Sequence, residues 1–393
     1  MAMPQSKNNQ ASGPRRVFLS AAEASGDSHC AELIHALRET GAGIEFVGVG
    51  GRKMRLAGCR LLETTTDRAA MTYKAFRHIG RYWRLIRKIR RCLDRERIDL
   101  VIVCDSPSFN FHVARAARKR GIDTLFYVAP QLWAWAGWRI RKLRRCCTRL
   151  ACILPFEQEY FTKRGVDAVF AGNPLLNGLP ENLESYRRSY DEFEPERSRF
   201  VMLPGSRPAE IESLWLPMQQ IAVELKKNFP GATFVAVAVD DKTLRILRQN
   251  QVEQFDCRYT TGRVIDNARV ADFAIVASGS ATLEVAAAGC PMVIMYQSSR
   301  LLWQLAGRFI VKTRHLSLVN ILAQKRMVPE FMPYFTSTRP ITTEIKAMLN
   351  DPSALSRLSG GLIDLAQSLH THNASEKVAE IVLEMLPRNK ARF

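Results

Sequence analysis

Short apolar runs recur along this chain, and several of them end in a turn of small polar residues that leads into a stretch of helical periodicity. Two such turns are distinctive. Residues 203–207 read Leu-Pro-Gly-Ser-Arg, and residues 278–284 read Ser-Gly-Ser-Ala-Thr-Leu-Glu, each at the end of an apolar run. Because parallel strands need a helical crossover between them, this order restricts the chain to α/β architectures with a parallel sheet and helices on both faces.

The alternation divides the chain into predicted elements. We predict strands at residues 16–20, 44–49, 100–104, 124–128, 150–154, 169–171, 200–203, 233–239, just before 261, 273–277 and 292–296. We predict helices at residues 28–39, 53–57, 211–227, 242–250, 340–349 and from 354 to 370 and beyond. A loop that contains Pro107 is expected after the strand 100–104.

A chain of 393 residues exceeds the usual size of one hydrophobic core, so two domains are expected. We predict two Rossmann-like domains, residues 15–175 and 200–393, joined by a linker region at 176–199. Whether the last helices cross back to the first domain is left open. Residues 1–14 are expected to be disordered. In such a fold the carboxyl ends of both sets of strands would face an interdomain cleft, where ligands bind.

The positive charge of the chain is unevenly distributed. The formal net charge is +19, and residues 68–97 alone contain eleven Lys and Arg residues against two acids. Apolar residues in this segment recur at helical spacing, which predicts an amphipathic helix with basic flanks. Such a helix suits an anionic membrane surface, although a solvated basic face over a buried apolar side explains the same pattern. Direct function on nucleic acid is disfavoured, because no known nucleic-acid-binding motif accompanies the charge.

The cysteine pattern and the lack of targeting signals favour a cytoplasmic location. Nine cysteines are an odd number at scattered spacings without a C-x-x-C pair, which favours free thiols in a reducing compartment over disulfides or a metal site. No apolar run is long enough to predict a transmembrane helix, and the polar N-terminus lacks the apolar core of a secretory signal.

The two distinctive turns are candidate anion sites. Gly and Ser let the backbone approach a phosphate, and the helix that follows directs its N–H groups at the anion. Arg207 would bind a diphosphate with its planar guanidinium, and Glu284 would accept hydrogen bonds from ribose hydroxyl groups. A surface ion pair for Arg207 and a simple interaction of Glu284 with the helix dipole are the structural alternatives. Together the turns predict a nucleotide-diphosphate site.

A second set of candidate residues lies in the first half of the chain. Asp105 directly follows an apolar strand, where its carboxylate could remove a proton from a sugar hydroxyl. The structural alternative is that this carboxylate caps a helix or forms an Asx-turn. Glu23 and Asp27 either line an acceptor pocket or cap the helix that follows them. Trp133 and Trp135 would form an apolar wall if their segment were extended, and core packing is the alternative.

These motifs occur in a fixed order between about residue 16 and residue 331. The order is Glu-Ala-Ser-Gly-Asp at 23–27, Asp-Ser-Pro-Ser-Phe-Asn at 105–110, Pro-Gln-Leu-Trp-Ala-Trp at 130–135, Leu-Pro-Phe-Glu at 154–157, the two turns, and Pro-Met-Val at 291–293. This succession resembles the lipid-A-disaccharide synthase family. The resemblance implies a GT-B glycosyltransferase that joins UDP-2,3-diacylglucosamine to 2,3-diacylglucosamine 1-phosphate (lipid X) through a β(1→6) bond and releases UDP. It also implies a peripheral enzyme at the cytoplasmic face of the inner membrane.

The resemblance assigns roles to particular residues. It implies that Asp105 is the general base and that Arg207 is an essential arginine of the UDP site. The implied nucleotide site contains Ser206, Ser278, Gly279, Ser280, Thr282, Glu284 and Asn320. The sequence departs from the family pattern at Ala22, Ser108, Asn173 and residues 70–76, so the donor half matches better than the acceptor half.

We therefore expect an inverting transfer in which Asp105 takes the proton of the acceptor 6-hydroxyl and UDP leaves from the opposite face, with Arg207 countering the developing charge. No D-x-D motif is present, so no metal and no cofactor are expected besides the UDP-sugar substrate; a homodimer is left open. The alternatives are a related GT-B enzyme with another acceptor, a UDP-N-acetylglucosamine 2-epimerase, or a catalytically silent membrane or nucleic-acid adaptor.

Overall fold

The computed structural model describes residues 14–65, 75–298, 313–370 and 373–387, which form two α/β units. Unit 1 comprises Met1–Asn177 and Thr371–Phe393, and unit 2 comprises Gly178–His370. The N-terminal segment that we expect to be disordered lies outside the described residues, except for its last position. The same holds for residues 66–74 of the basic segment.

Unit 1 is built on a parallel sheet that is buried on both faces. Its strands are β1 (Arg15–Ala21), β2 (Ile44–Gly50), β3 (Arg60–Thr64), β4 (Leu100–Cys104), β5 (Asp123–Tyr127), β6 (Arg149–Cys152) and β7 (Ala168–Phe170), in the spatial order β3-β2-β1-β4-β5-β6-β7. Its first helices are α1 (Ala24–Glu39), α2 (Arg52–Leu56), α3 (Ala75–Arg95), α4 (Pro107–Arg118), α5 (Leu132–Trp135), α6 (Ile140–Cys146) and α7 (Pro155–Thr162). Strand β4 is apolar at every position and fully buried, as expected for a strand covered by helices on both sides.

Unit 2 repeats this plan with a second parallel sheet. Its strands are β8 (Arg199–Leu203), β9 (Thr233–Ala238), β10 (Arg258–Thr261), β11 (Phe273–Ala277), β12 (Met292–Met295) and β13 (Glu330–Phe331), in the order β10-β9-β8-β11-β12-β13. Its helices are α8 (Pro208–Asn228), α9 (Asp241–Gln249), α10 (Val264–Val270), α11 (Ala281–Ala287), α12 (Leu318–Ala323), α13 (Arg339–Leu349) and α14 (Pro352–Leu369). The predicted doubly wound α/β architecture is therefore confirmed.

The last described helix, α15 (Ala374–Met385), belongs to unit 1. Its buried residues Val378, Ile381 and Val382 share a core cluster with Leu33 and Ile34 of α1. The predicted second domain, residues 200–393, includes this helix. The structure assigns it to unit 1 instead, because its apolar face packs on α1. The predicted linker 176–199 also differs, since residues from 178 onward are part of unit 2.

The predicted linker contributes to the core of unit 2 through two side chains. Tyr190 is buried in the second core and donates its hydroxyl hydrogen to the carbonyl of Asp272 at 2.8 Å. The guanidinium of Arg188 donates to the carbonyls of Ala268 and Ala288, near the ends of α10 and α11. The prolines and charged residues of segment 176–199 predict a linker, but the structure shows that specific side-chain contacts hold this segment against unit 2.

Most predicted strands and helices are observed within two residues of their expected bounds. The predicted loop around Pro107 is wrong, because α4 begins at Pro107, where a proline fits the first turn of a helix. The short edge strands β3 and β13 are not predicted, since neither has an apolar run. Among the described helices, none combines the length and the apolarity that crossing a membrane requires.

Each sheet reverses its strand order at one place. In unit 1 the reversal lies between β1 and β4, and in unit 2 it lies between β8 and β11. The loops that leave the two central strands diverge at such a point, which opens a crevice at the carboxyl ends of the strands. The sites of the two units are therefore expected at these reversals.

The packing of α15 on α1 makes a prediction for unit 1. Ile381→Ala leaves a cavity beside α1, and we expect it to lower the free energy of unfolding of unit 1 by about 2–5 kcal/mol. Peptide-resolved hydrogen–deuterium exchange should show faster exchange in α1 and α15 and unchanged exchange in unit 2. Glu380→Ala, on the exposed face of α15, is the control and should change little. Unchanged exchange in α1 of the Ile381 variant would contradict the packing.

Candidate active site

In unit 1, polar side chains from two strand ends meet at the reversal between β1 and β4. The hydroxyl of Ser25 donates to Asp105 Oδ2 at 3.3 Å, and the hydroxyl of Ser106 donates to Glu23 Oε1 at 2.9 Å. Each loop therefore supplies one hydroxyl and one carboxylate to the other. The sequence motifs at 23–27 and 105–110 are 80 residues apart, and the fold brings them into direct contact.

The backbone at Asp105 and Ser106 is strained. Both residues have positive φ angles, 53° and 41°, in the left-handed region that residues other than glycine seldom adopt. Such conformations cost on the order of 1–3 kcal/mol each and persist where the surroundings hold them. The N–H of Ser106 donates to Asp105 Oδ1 at 2.7 Å. This bond reaches one residue on, whereas an Asx-turn uses the N–H two residues on, and the residue that precedes α4 is Ser106. The predicted cap or Asx-turn role of Asp105 is therefore not observed. Its second carboxylate oxygen lies in the half-buried site beside Ser25.

Asp27 has a structural role. Its carboxylate is buried and accepts hydrogen bonds from the N–H groups of Gly51, Lys53 and Met54 at 2.6, 3.0 and 3.1 Å. These are the unpaired donors at the start of α2. Of the two alternatives for Asp27, capping is therefore observed, on α2 and not on the helix that follows. Glu23 instead belongs to the polar site, where it accepts the hydrogen bond from Ser106.

The tryptophans after β5 do not form an extended wall. Residues 132–135 are the short helix α5, and Trp133 packs edge-on against Phe156 at 4.9 Å between ring centroids. The indole N–H of Trp133 donates to Glu157 Oε1 at 2.9 Å. Trp133 therefore follows the core-packing alternative, and the side chain of Trp135 lies outside the described residues.

In unit 2, the first distinctive turn is already occupied by a carboxylate. Glu210 Oε2 accepts hydrogen bonds from the N–H groups of Ser206 and Arg207 at 3.0 and 3.1 Å, and Glu210 Oε1 lies 3.2 Å from Arg207 Nη1. An acid in the first turn of α8 therefore satisfies these N–H groups within the protein, and their contact with a phosphate stays a prediction. The Arg207 side chain is still 70% exposed and can reach a ligand.

The second distinctive turn has unused donors. The N–H of Ser278 donates to Met295, and the buried hydroxyl of Thr282 donates to the carbonyl of Gly279 at 2.7 Å, which closes the turn. Within the described residues, the N–H groups of Gly279, Ser280 and Ala281 donate to no acceptor. The backbone at 279–281 therefore offers three N–H groups that no described residue uses, and the bond from Thr282 holds their turn closed.

Glu284 has a desolvated carboxyl group. Burial raises the pKa of Glu284 to about 7, and no donor among the described residues is within hydrogen-bond distance of its carboxylate. Glu157 provides the comparison, since burial also raises the pKa of Glu157 to about 7, yet Trp133 and the N–H of Leu154 donate to it. Glu284 therefore lacks the hydrogen bonds that a buried carboxylate normally has.

Asn320 is a buried residue whose side chain is hydrogen-bonded within unit 2. Its amide nitrogen donates to the carbonyl of Val328 and to Glu330 Oε2, and its oxygen accepts from the N–H groups of Met327 and Val328, all at 2.8–3.0 Å. The donors and the acceptor of its amide are therefore used inside the protein, and the contact of Asn320 with the nucleotide stays a prediction. Burial alone would raise the pKa of Glu330, but hydrogen bonds from Ser317 and Asn320 outweigh burial and lower it.

The basic helix α3 has a buried apolar side. Leu85, Ile86 and Ile89 belong to the core of unit 1, so the buried-side alternative is observed for the described part of this helix. Its exposed residues border a cavity of about 800 Å³ beside the edge strand β3. The residues that line this cavity are Glu63, Arg84, Arg87, Lys88 and Arg91.

Two parallel α/β units of this kind are the architecture of the GT-B fold. Solved structures with the same fold include MurG of Acinetobacter baumannii (TM-score 0.57, 15% identity, covering 94% of this chain and 100% of that chain). The UDP-GlcNAc 2-epimerase of Neisseria meningitidis also has it (TM-score 0.60, 11% identity, covering 94% and 100%).

Sequence comparison identifies the family within this class. The lipid-A-disaccharide synthetase family model matches residues 17–382. The lipid-A-disaccharide synthase of Geobacter sulfurreducens is 34% identical over 94% of this chain and 97% of its own length. Lipid-A-disaccharide synthase 1 of Legionella pneumophila is 33% identical over 96% and 99%. The chain belongs to the lipid-A-disaccharide synthase family and is a glycosyltransferase of lipid A biosynthesis.

The desolvated carboxyl of Glu284 predicts a pH-dependent stability. Folding raises its pKa from 4.5 to about 7, so the stabilising contribution of the protonated form is complete below the lower value and is lost as the pH rises through about 7. Because glutamine cannot ionise, we expect Glu284→Gln to become more stable relative to wild type between about pH 5 and about pH 8, by on the order of 3 kcal/mol.

Urea unfolding of both proteins at the two pH values measures this difference. Glu212→Gln, which changes an exposed acid on α8, is the control, and its difference from wild type should be nearly constant. A constant difference for Glu284→Gln as well would show that its carboxyl is not desolvated in the folded protein.

Proposed function

We propose that this protein transfers the sugar of UDP-2,3-diacylglucosamine to the 6-hydroxyl of 2,3-diacylglucosamine 1-phosphate, with inversion at the donor carbon and release of UDP. The observation that carries the proposal is the desolvated carboxyl of Glu284 beside three backbone N–H groups, none of which has a hydrogen-bond partner among the described residues. A vicinal diol and a diphosphate are the complementary chemistry, because the first supplies donors and the second supplies acceptors. A ribose diphosphate contains both groups.

In the donor half of this mechanism, UDP binds at the reversal between β8 and β11. The N–H groups at 279–281 bind the diphosphate, and the exposed guanidinium of Arg207 approaches it from the neighbouring loop. Hydrogen bonds from the ribose hydroxyls favour the ionised form of Glu284 and lower its pKa on binding. The fixed positive charges stabilise the negative charge that develops on the departing UDP.

In the acceptor half, Asp105 is the general base. Its Oδ2 takes the proton of the 6-hydroxyl while the hydroxyl oxygen attacks the donor carbon and the bond to UDP breaks. Ser25 lies within hydrogen-bond distance of the same carboxylate oxygen and orients it. We propose that the reaction is metal-independent, since the proton goes to a carboxylate and the leaving-group charge meets Arg207 and backbone donors.

We also propose that the enzyme works at the cytoplasmic face of the inner membrane. The described part of α3 exposes Arg84, Arg87 and Arg91, whose guanidinium groups have no acidic partner among the described residues. Since the apolar side of the helix is buried, the attraction to the membrane is electrostatic and does not need insertion of this helix. Anionic headgroups would then concentrate the enzyme where its acylated substrates are.

Separate substitutions of Asp105 and Arg207 distinguish an effect on UDP binding from an effect on the chemical step. We expect Asp105→Asn to lower kcat about 10²–10⁴-fold with little change in UDP affinity. We expect Arg207→Ala to weaken UDP binding about 10–100-fold, the loss of one charge-assisted contact. Disaccharide formation is followed by mass spectrometry and UDP affinity by calorimetry, with and without EDTA.

Arg197→Ala is the matched control, because Arg197 also pairs with an acid three residues away but precedes β8 at the opposite end of the strand. An active Asp105→Asn enzyme would remove the assigned base, and loss of activity in EDTA would exclude metal independence. Conversion of UDP-N-acetylglucosamine to its 2-epimer, without any disaccharide, would instead identify an epimerase.

The arginines of α3 give a separate prediction for the membrane. We expect the enzyme to float with vesicles of anionic phospholipid and to be released by about 1 M salt, which shortens the Debye length to about 3 Å. Replacement of Arg84, Arg87 and Arg91 by Gln should abolish flotation. A control with Lys242, Arg245 and Arg248 of α9 changed to Gln removes the same charge from another helix. Equal loss in both variants would attribute binding to net charge and not to α3.

A further inference from the structure

Asn110 is a buried polar residue directly beneath the strained turn. It lies in the second turn of α4 and is fully inaccessible to solvent. Its amide nitrogen donates to the carbonyl of Cys104 at 2.9 Å and to the carbonyl of Asp105 at 2.7 Å. Its oxygen accepts the hydroxyl hydrogen of Ser20 at 2.7 Å. The side chain therefore connects the end of β1 to the end of β4 across the reversal of strand order.

These bonds act on the backbone that carries the carboxylate of Asp105. Rotation of the Asp105–Ser106 peptide toward an ordinary φ would move the Asp105 carbonyl away from Asn110. One buried amide hydrogen would then have only the long contact to the carbonyl of Ser20, at 3.4 Å. An unsatisfied buried donor costs about 1–3 kcal/mol, which is comparable to the strain of one left-handed residue. The amide of Asn110 thus offsets the strain and keeps the turn in one conformation.

We propose that Asn110 is a positioning residue for the transfer reaction, which it serves by fixing the direction of the Asp105 carboxylate from below. This inference rests on the proposed role of Asp105 as general base. Ser20 is the second member of the same device, because its hydroxyl fixes the orientation of the Asn110 amide. Neither side chain touches a substrate, since both are fully buried.

A double-mutant cycle with Asp105 tests this role. We expect Asn110→Ala to lower kcat about 100-fold, the loss that a displacement of about 1 Å at a reacting group produces, with UDP affinity changed less than about twofold. Ser20→Ala should give a smaller loss in kcat with the same unchanged affinity. In the Asp105→Asn background, Asn110→Ala should cause little further loss, because its effect passes through Asp105.

All rates are measured well below the melting temperature of each variant, so that the enzyme is folded. Gln219→Ala is the control for loss of a buried amide, since Gln219 bonds to the backbone of Asn250 and Val252 in the core of unit 2. It should lower stability and leave kcat unchanged.

The outcomes separate the two proposals. Full activity in Asp105→Asn would overturn the role of Asp105 itself. An inactive Asp105→Asn enzyme together with an unchanged kcat in Asn110→Ala would overturn only the positioning role, and so would equal losses from Asn110→Ala in both backgrounds. If Asn110→Ala does not fold, Ser20→Ala carries the same cycle, and the same comparison decides.

Discussion

The rest of the structure depends on one parallel strand pairing in each sheet, between the first and the fourth strand in chain order. Because β1 pairs with β4 and β8 pairs with β11, loops that are far apart in sequence leave the sheet side by side. In unit 1 this adjacency brings Ser25 to Asp105, and in unit 2 it brings the turn of Arg207 next to the turn of Ser278. The chemistry of the protein lies in these loops, and the buried strands fix their spacing.

Four acids at comparable places show how neighbours determine the role of a carboxylate. Asp27 and Glu210 accept backbone N–H groups at helix starts, and Glu157 accepts an indole and an N–H. Each of these acids is satisfied by the protein itself. Glu284 differs because its carboxyl is desolvated and no described residue donates a hydrogen bond to it, a condition that costs stability.

The fold was largely accessible from the sequence, because the apolar runs of β1, β4, β8 and β11 are continuous and their turns contain glycine, serine or aspartate. The position of Asp105 at a strand end followed for the same reason. The hydrogen bonds of Asn110 to the backbone could not be predicted. They depend on a left-handed backbone at residues 105–106, and neither aspartate nor serine predicts that conformation. The occupation of the first turn by Glu210 was equally hidden, because an acid three residues into a helix suits both a cap and a ligand site.

The placement of α15 has a consequence for folding during translation. Residues 178–370 include every described element of unit 2, so this unit can fold as soon as they leave the ribosome. The strands of unit 1 precede unit 2 in the chain, yet unit 1 lacks the helix that covers α1 until residues 374–385 have been made. A domain whose N-terminal part is synthesised first is therefore completed last, and during translation the uncovered surface of α1 is the place where a chaperone would bind or aggregation would begin.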